Sequence, residues 1–194
     1  EGGKLTASGV AMRYGARSKP ISGHGRAIFR ELFTPGALTQ TIAEQDIRSH
    51  LEHHGSYLAR KSNGSLRLED TAEELRYELD LPDTTAGRDA AALLERQDIG
   101  GASLGFRALP KHTTWSVDTD GLPLRTVGRA RVSVVDLVTA PAYGETTAAL
   151  ALRSLADERG MELRSLMEAA DRGELPTLIA SPPEDEGTEQ REDE

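Results

Sequence analysis

The sequence predicts an α+β fold with an antiparallel β-barrel core flanked by helices. Many short segments alternate apolar and polar residues and are separated by turn residues, which is typical of antiparallel strands. Only a few segments repeat apolar residues at the spacing of a helix. The chain has 194 residues, of which 37% are hydrophobic and 4% aromatic, so it can bury a core built mainly from Leu, Val, Ile and Ala.

The predicted elements follow one another in a definite order. A helix is expected after Thr84 or Thr85, either of which can cap it, and Gly100-Gly101 ends it. A second helical region follows Gly144 and ends near Gly173. The predicted strands are residues 26–33, 47–53, 65–69, 75–81, 103–109, 113–117 and 124–139.

The segment 47–53 is rich in histidine. Ile47, Leu51 and His53 fall on one side of the predicted strand, whereas His50 and Glu52 fall on the other. Successive side chains of a strand point to opposite faces, so the alternation predicts that His53 faces the core.

Charge and composition exclude several classes of function. The net charge is −9, and no basic stripe interleaved with aromatic residues is present, so nucleic-acid binding is not expected. No apolar run approaches the roughly 20 residues that span a bilayer, and no signal-peptide pattern is present, so no membrane partner is expected. The absence of cysteine excludes disulfides and thiolate metal sites and is compatible with a reducing cytoplasm.

A serine lies among glycines in the segment Gly100-Gly101-Ala102-Ser103-Leu104-Gly105-Phe106. Glycine has no Cβ, so other groups can approach the Ser103 hydroxyl closely. A serine hydroxyl is a poor nucleophile and needs a base within hydrogen-bond reach, which histidine can supply near neutral pH. Ser103 and His53 are therefore the candidate nucleophile and base, although the segment alone also fits an ordinary glycine-rich turn that enters a strand.

Several blocks together resemble a known family. They are Phe29-Arg30-Glu31 with Pro35-Gly36-Ala37, His53, Gly64-Ser65-Leu66-Arg67-Leu68-Glu69-Asp70, Leu81-Pro82-Asp83-Thr84 with Gly87-Arg88-Asp89, Gly101-Ala102-Ser103-Leu104-Gly105-Phe106 and Pro141-Ala142-Tyr143. In this order they resemble the prohead (capsid maturation) serine proteases of tailed bacteriophages, which are distant structural relatives of the herpesvirus assemblins.

This resemblance implies a serine endopeptidase that is packaged inside the immature capsid in the host-cell cytoplasm. Its expected substrates are the scaffold protein or the scaffold-like N-terminal segment of the major capsid protein, and the protease itself. No cofactor or metal is expected, and a homo-oligomer is an open possibility. The chain is expected to divide into an N-terminal segment at residues 1–24, a protease domain with its C-terminal helices at 25–173, and an acidic tail at 174–194. The tail is expected to be disordered because its acidic, proline-containing composition cannot bury a core.

The third catalytic residue departs from the family pattern. The family has a carboxylate two residues before a serine, upstream of the block that Pro141-Ala142-Tyr143 matches, and those two positions are Val134 and Asp136 here. Because residues two apart on a strand share a face, Val132, Val134, Asp136 and Val138 are predicted to point the same way. Burying an aspartate among valines is costly unless it is paired.

Asp136 is therefore the candidate that orients His53, as the acid of a serine protease triad does. The alternative is a structural carboxylate satisfied by the backbone or by an arginine such as Arg129. Glu52 and His54 flank His53 but are expected to point away from it. For the oxyanion hole, the glycines around Ser103 and the stretch 128–131 are both candidates.

Two other functions stay open. His50, Glu52, His53 and His54 form a cluster of metal-ligand types, but the order His-Leu-Glu-His-His lacks the helical zinc-peptidase signature and no third ligand is evident. The other alternative is a catalytically inactive protease-like scaffold or a capsid-assembly binding module. For the binding module, Leu163, Leu166 and Met167 of the C-terminal helices would form a partner-facing stripe, whereas the simpler interpretation packs this helix on its own barrel.

Overall fold

Most of the segments predicted as strands form strands, although 124–139 forms two and 47–53 is a strand only over Arg48–His50. A computed structural model describes residues 5–23, 26–53, 55–139, 152, 155–157 and 159–181. The strands are β1 Thr6–Arg13, β2 Ile21–Gly23, β3 Arg26–Phe33, β4 Arg48–His50, β5 Tyr57–Arg60, β6 Leu66–Asp70, β7 Glu74–Asp80, β8 Gly101–Ala108, β9 Thr113–Val117, β10 Pro123–Val127 and β11 Ala130–Val138. The helices are α1 Thr39–Glu44, α2 Thr85–Glu95, α3 Leu163–Arg172 and α4 Leu175–Ala180.

The strands form three sheets, with strand orders β1-β7-β6, β2-β3-β10-β9 and β5-β4-β11-β8. The predicted α+β class is confirmed. The predicted antiparallel barrel core is not, because the described strands form no closed barrel and two neighbouring pairs, β3 with β10 and β4 with β11, are parallel. Alternation predicts strands but not pairing direction, since β3 and β10 are far apart in the sequence.

Two hydrophobic clusters hold the sheets and helices together. The first contains residues of all three sheets, and Ile47, Leu79 and Leu137 are almost completely buried in it. The second joins Phe29 and Trp115 to the C-terminal helices. The ring centroids of Phe29 and Trp115 lie 5.3 Å apart in an edge-to-face arrangement. The first cluster supports the candidate site described below.

Helix α2 begins as its sequence predicts but ends earlier. The Thr84 side chain accepts a hydrogen bond from the Gly87 N–H at 3.2 Å, which satisfies one free donor of the first turn. The helix stops at Glu95, and Gln97 takes a left-handed conformation with φ 62°. The expected end at Gly100-Gly101 was therefore wrong by several residues.

The packed part of the chain continues into the range assigned to the tail. Helix α4 buries Leu175 and Ile179 in the second cluster, because apolar residues four apart lie on the same face of a helix. Residues 182–194, which hold most of the acidic residues of that range, lie outside the described residues. No helix in the described part of the chain is long and apolar enough to cross a membrane.

A buried ion pair joins the parallel strands β3 and β10. Arg125 donates from Nε to Oε2 of Glu31 at 2.6 Å, and both side chains are almost fully buried. The Arg125 guanidinium also lies 5.3 Å from the centre of the Phe29 ring. Burial raises the pKa of Glu31 above its ordinary value, and the attraction of Arg125 opposes this rise.

Replacing Arg125 by Met is expected to lower the free energy of unfolding by about 3–5 kcal/mol, because the buried Glu31 carboxylate loses its counter-charge. The double change Glu31→Gln with Arg125→Met should recover most of this loss, since neither position then carries a charge that must be desolvated. Urea unfolding followed by circular dichroism measures both values. A single variant as stable as the unmodified chain would contradict the expectation.

Candidate active site

The candidate site is centred on Asp136, which lies on β11 between β4 and β8. Its side chain is completely buried, with 0% of its surface exposed. In the antiparallel pairing of β11 with β8, Asp136 stands directly opposite Ser103. Directly opposite residues of an antiparallel pair project to the same face, so these two side chains share a face.

His50 reaches Asp136 from the other neighbouring strand. Strand β4 runs parallel to β11, and the pairings of Arg48 with Val134 and of Leu51 with Leu137 bring His50 beside Asp136. Oδ1 of Asp136 accepts a hydrogen bond from the His50 backbone N–H and also lies 2.9 Å from Nδ1 of the His50 ring. The same carboxylate oxygen therefore receives two donors from one residue.

His53 contacts the second oxygen of the same carboxylate. Its Nδ1 lies 3.1 Å from Oδ2 of Asp136, and 38% of its side chain is exposed. A carboxylate only accepts, so a neutral ring must carry its proton on Nδ1, which leaves Nε2 as an acceptor. The predicted contact between His53 and Asp136 is therefore present.

The chain reaches this contact by a turn and not by a strand. Strand β4 ends at His50, and Glu52 has a left-handed φ of 58°. The prediction that His53 faces the core on the side opposite His50 was wrong, because the turn brings both rings to Asp136. Gly55 permits the turn, since a Cβ at this position would lie 1.7 Å from the Leu51 carbonyl oxygen.

Glu52 fixes this turn to the end of β11. Its backbone N–H donates to the Leu137 carbonyl at 2.8 Å, and its carboxylate accepts a hydrogen bond from the Thr139 N–H at 2.8 Å. Glu52 therefore points away from the His53 ring, as expected, and serves the backbone. His54 lies outside the described residues.

Ser103 lies on β8, the last strand of its sheet. Its neighbours Ala102 and Leu104 are buried in the first hydrophobic cluster, so the Ser103 side chain points away from that cluster and is half-buried. No hydrogen bond joins the Ser103 hydroxyl to any described side chain. The structure thus brings His53 and Asp136 into contact and places Ser103 opposite Asp136. The Ser103 hydroxyl and the His53 ring are not hydrogen-bonded to each other.

A β-bulge changes the predicted alternation of β11. The register shifts between Val132 and Val134, and the extra residue, Ser133, donates its hydroxyl proton to the Gly105 carbonyl at 3.0 Å. Val132 therefore joins the core together with Val135 and does not share the face of Asp136. The expectation of four same-face residues was wrong at this one position, because a bulge reverses the facing of every residue before it.

Two glycines flank Ser103 on its own face of β8. A Cβ added at Gly105 would lie 2.4 Å from Cγ2 of Val134, whereas one added at Gly101 would meet nothing within 4 Å. Gly105 is therefore required for the close packing of β8 against β11, and Gly101 is not.

Gly105→Ala is expected to lower the free energy of unfolding by about 1–3 kcal/mol, because the stiff Val134 side chain cannot move aside without strain. Gly101→Ala is the matched control and should leave stability nearly unchanged. Thermal unfolding compares the two variants. Recovery of stability in the double change Gly105→Ala with Val134→Ala would identify the overlap as the cause, and equal effects of the two single changes would refute it.

The stretch 128–131 does not fit the expected oxyanion hole. Two of its backbone donors are used elsewhere, since the Gly128 N–H donates to the His112 carbonyl and the Ala130 N–H to the Ala37 carbonyl. Ala130 also pairs with Ala108, at the opposite end of β8 from Gly101. Among the described residues, no hydrogen bond or ion pair joins Arg129 to Asp136, whose contacts are with the two histidines.

His50 is the residue that sequence reasoning missed as a partner of Asp136. The alternation predicts that His50 lies on the face opposite His53, so the sequence indicates it only as a possible metal ligand. Only the parallel pairing of β4 with β11 reveals the contact, and no local pattern encodes that pairing. Within the described residues, no group of three His, Asp or Glu side chains has the arrangement of a metal site.

The site contains the residue types of a serine hydrolase. A candidate nucleophile lies on one strand, a buried carboxylate lies on the next, and the Nδ1 of a histidine contacts that carboxylate. Comparison with known families identifies the family itself. The chain belongs to the Caudovirus prohead serine protease family, whose profile matches residues 1–160. No significant match is found among curated proteins or among solved structures. Pro141-Ala142-Tyr143, the closing block of the resemblance, lies outside the described residues.

Proposed function

We propose that this protein is the serine endopeptidase of a phage prohead, with Ser103 as nucleophile, His53 as general base and Asp136 as the acid that orients His53. The substrates are the scaffold protein or the scaffold-like N-terminal segment of the major capsid protein, and the protease also cleaves itself. The contact of His53 with the buried Asp136, on the face that Ser103 shares, is the observation that carries this proposal. Family membership supports the role in capsid maturation.

The chemistry follows from the protonation of the His53 ring. Nδ1 holds its proton against Asp136, so Nε2 has a free lone pair that can remove the proton of the Ser103 hydroxyl. The Ser103 oxygen then attacks the peptide carbonyl and forms a tetrahedral oxyanion. As this collapses, the imidazolium returns its proton to the leaving amine, and the carbonyl carbon stays bonded to Ser103 as an ester.

A water molecule completes the cycle by the same steps. His53 removes a proton from the water, the resulting hydroxide attacks the ester, and His53 protonates the Ser103 oxygen as the acid product leaves. Asp136 keeps its negative charge throughout and stabilises the imidazolium of each step. In the free protein catalytic hydrogen bonds are often long, so the unmade contact of Ser103 is compatible with a tightening when the substrate binds.

The test is incubation of the purified chain with its cognate capsid and scaffold proteins, followed by mass spectrometry of the products. A fluorophosphonate should block cleavage and add one phosphonyl group to Ser103, with loss of fluoride. A chelator should leave cleavage unchanged, and the product masses would identify the cleaved bonds. Blocked cleavage with chelator but not with fluorophosphonate would favour metal catalysis. No cleavage of any capsid component would favour the inactive scaffold.

A further inference from the structure

We propose that His50 is a positioning residue of this active site, which holds the Asp136 carboxylate in place for His53 and sets the pH at which His53 loses its activity as a base. This inference rests on the proposed function. This chain carries its candidate acid at residue 136 and not at the family's usual acid position, 134.

The contacts divide the carboxylate between two histidines. Oδ1 faces the His50 N–H and the His50 ring, both at 2.9 Å, and Oδ2 faces the His53 ring at 3.1 Å. A carboxylate free to rotate about its Cβ–Cγ bond would present either oxygen to His53 at varying angles. With Oδ1 held by two donors of one residue, Oδ2 stays fixed beside the His53 ring.

The His50 ring is itself held in place. It is only 23% exposed, compared with 38% for His53. The ring of Tyr57 on β5 packs edge-on against it, with the centroids 5.6 Å apart. A ring fixed by a strand, a neighbouring aromatic residue and a buried acceptor is suited to orientation, whereas the more exposed His53 is suited to meet a substrate.

The two rings are also coupled through the carboxylate. Each neutral ring donates to Asp136, and a proton added to one ring repels a proton on the other. The other charged and titratable groups on the neighbouring elements are Arg48 on β4, Glu52 in the turn, and Tyr57 and Arg60 on β5. Arg60 forms an ion pair with Asp46, and Glu52 accepts a hydrogen bond from the Thr139 N–H. The ring of His50, in contrast, contacts Asp136 directly.

Removal of the His50 ring should therefore have two effects. The Asp136 carboxylate loses a donor and attracts the protonated form of His53 more strongly, and the repulsion from a protonated His50 disappears. Both changes stabilise the imidazolium of His53 in the free enzyme. The acid limb of kcat/KM, where activity is lost as His53 takes up a proton, should move to higher pH.

The experiment compares His50→Ala with His50→Asn. The Asn amide nitrogen occupies nearly the position of His Nδ1, so Asn keeps the donor to Asp136 but cannot titrate. We expect His50→Ala to lower kcat by about 10- to 100-fold at the pH optimum with KM unchanged. Its acid limb should move up by about one pH unit. His50→Asn should recover most of the lost kcat.

Three outcomes would overturn the proposal. Loss of all activity in His50→Asn, equal to that in His53→Asn, would make His50 the base. A fall in kcat without movement of the acid limb would reduce His50 to a purely structural role. Unchanged kcat and limb in His50→Ala would remove any role.

A second measurement does not depend on activity. NMR titration of the His53 ring in the Ser103→Ala background, which cannot cut itself, should show its protonation midpoint moving up when His50 is replaced by Ala. If the unmodified chain cleaves no faster than Ser103→Ala, the proposed function fails while this titration still decides the coupling of the two rings. An unchanged midpoint would overturn the proposal by itself.

Discussion

Asp136→Asn is expected to lower kcat by about 10⁴-fold, the size of the loss that the same change causes in other serine protease triads. The Asn amide has one oxygen and one NH₂ group. The His50 backbone N–H cannot change its role, so the amide oxygen must face His50 and the NH₂ must face His53. His53 Nδ1 then becomes the acceptor, its proton moves to Nε2, and the ring can no longer accept the proton of Ser103.

The same substitution should affect stability far less than catalysis. We expect a loss of about 1–3 kcal/mol, because the residue keeps its volume while one buried donor is poorly paired. Asp118→Asn is a suitable control, since Asp118 is another buried carboxylate that accepts hydrogen bonds from the Thr119 N–H and from Arg17. It should keep full turnover. Equal losses of turnover and of stability for Asp136→Asn would return Asp136 to a structural role.

Ser103→Ala is expected to abolish cleavage, with a loss of kcat on the order of 10⁴-fold or more. No group on His53 or Asp136 can replace the attacking oxygen. Because the Ser103 hydroxyl bonds to no described side chain, the melting temperature should stay nearly unchanged. Capsid proteins mixed with this variant should remain uncut on a gel.

Ser133→Ala provides the opposite control on the neighbouring strand. It removes the hydroxyl that donates to the Gly105 carbonyl, so it should cost about 1 kcal/mol of stability but leave cleavage intact. The two serines together separate catalysis from packing. Complete processing of the capsid proteins by Ser103→Ala would end the assignment of the nucleophile and favour the scaffold function.

The three candidate residues could be chosen from the sequence because their chemistry is local. Ser103 stands among glycines, His53 lies in a histidine-rich segment, and Asp136 is an acid among valines of a buried strand. Each signal needs only its own neighbours and the order of the blocks. The α+β class could be predicted for the same reason, since alternation and helical spacing are properties of short segments.

The rest depends on contacts between distant segments. The parallel pairing of β4 with β11 brings His50 to Asp136, and nothing within either strand specifies it. The bulge at Ser133 reverses the facing of Val132, which simple alternation cannot anticipate. The left-handed conformation of Glu52 breaks the alternation that otherwise continues to His53. The sequence cannot predict this break, because a glutamate gives no signal for such a backbone conformation.

Glu52 anchors the turn that carries His53 to Leu137 and Thr139 at the end of β11. The proposed base and the proposed acid therefore belong to one hydrogen-bonded unit, and their contact is formed before any peptide binds. Ser103, the proposed nucleophile, lies on the outermost strand of this sheet, which pairs with β11, but its hydroxyl is hydrogen-bonded to neither His53 nor Asp136. Under the proposed function, Ser103 is therefore the side chain that must move to complete the site when a substrate binds.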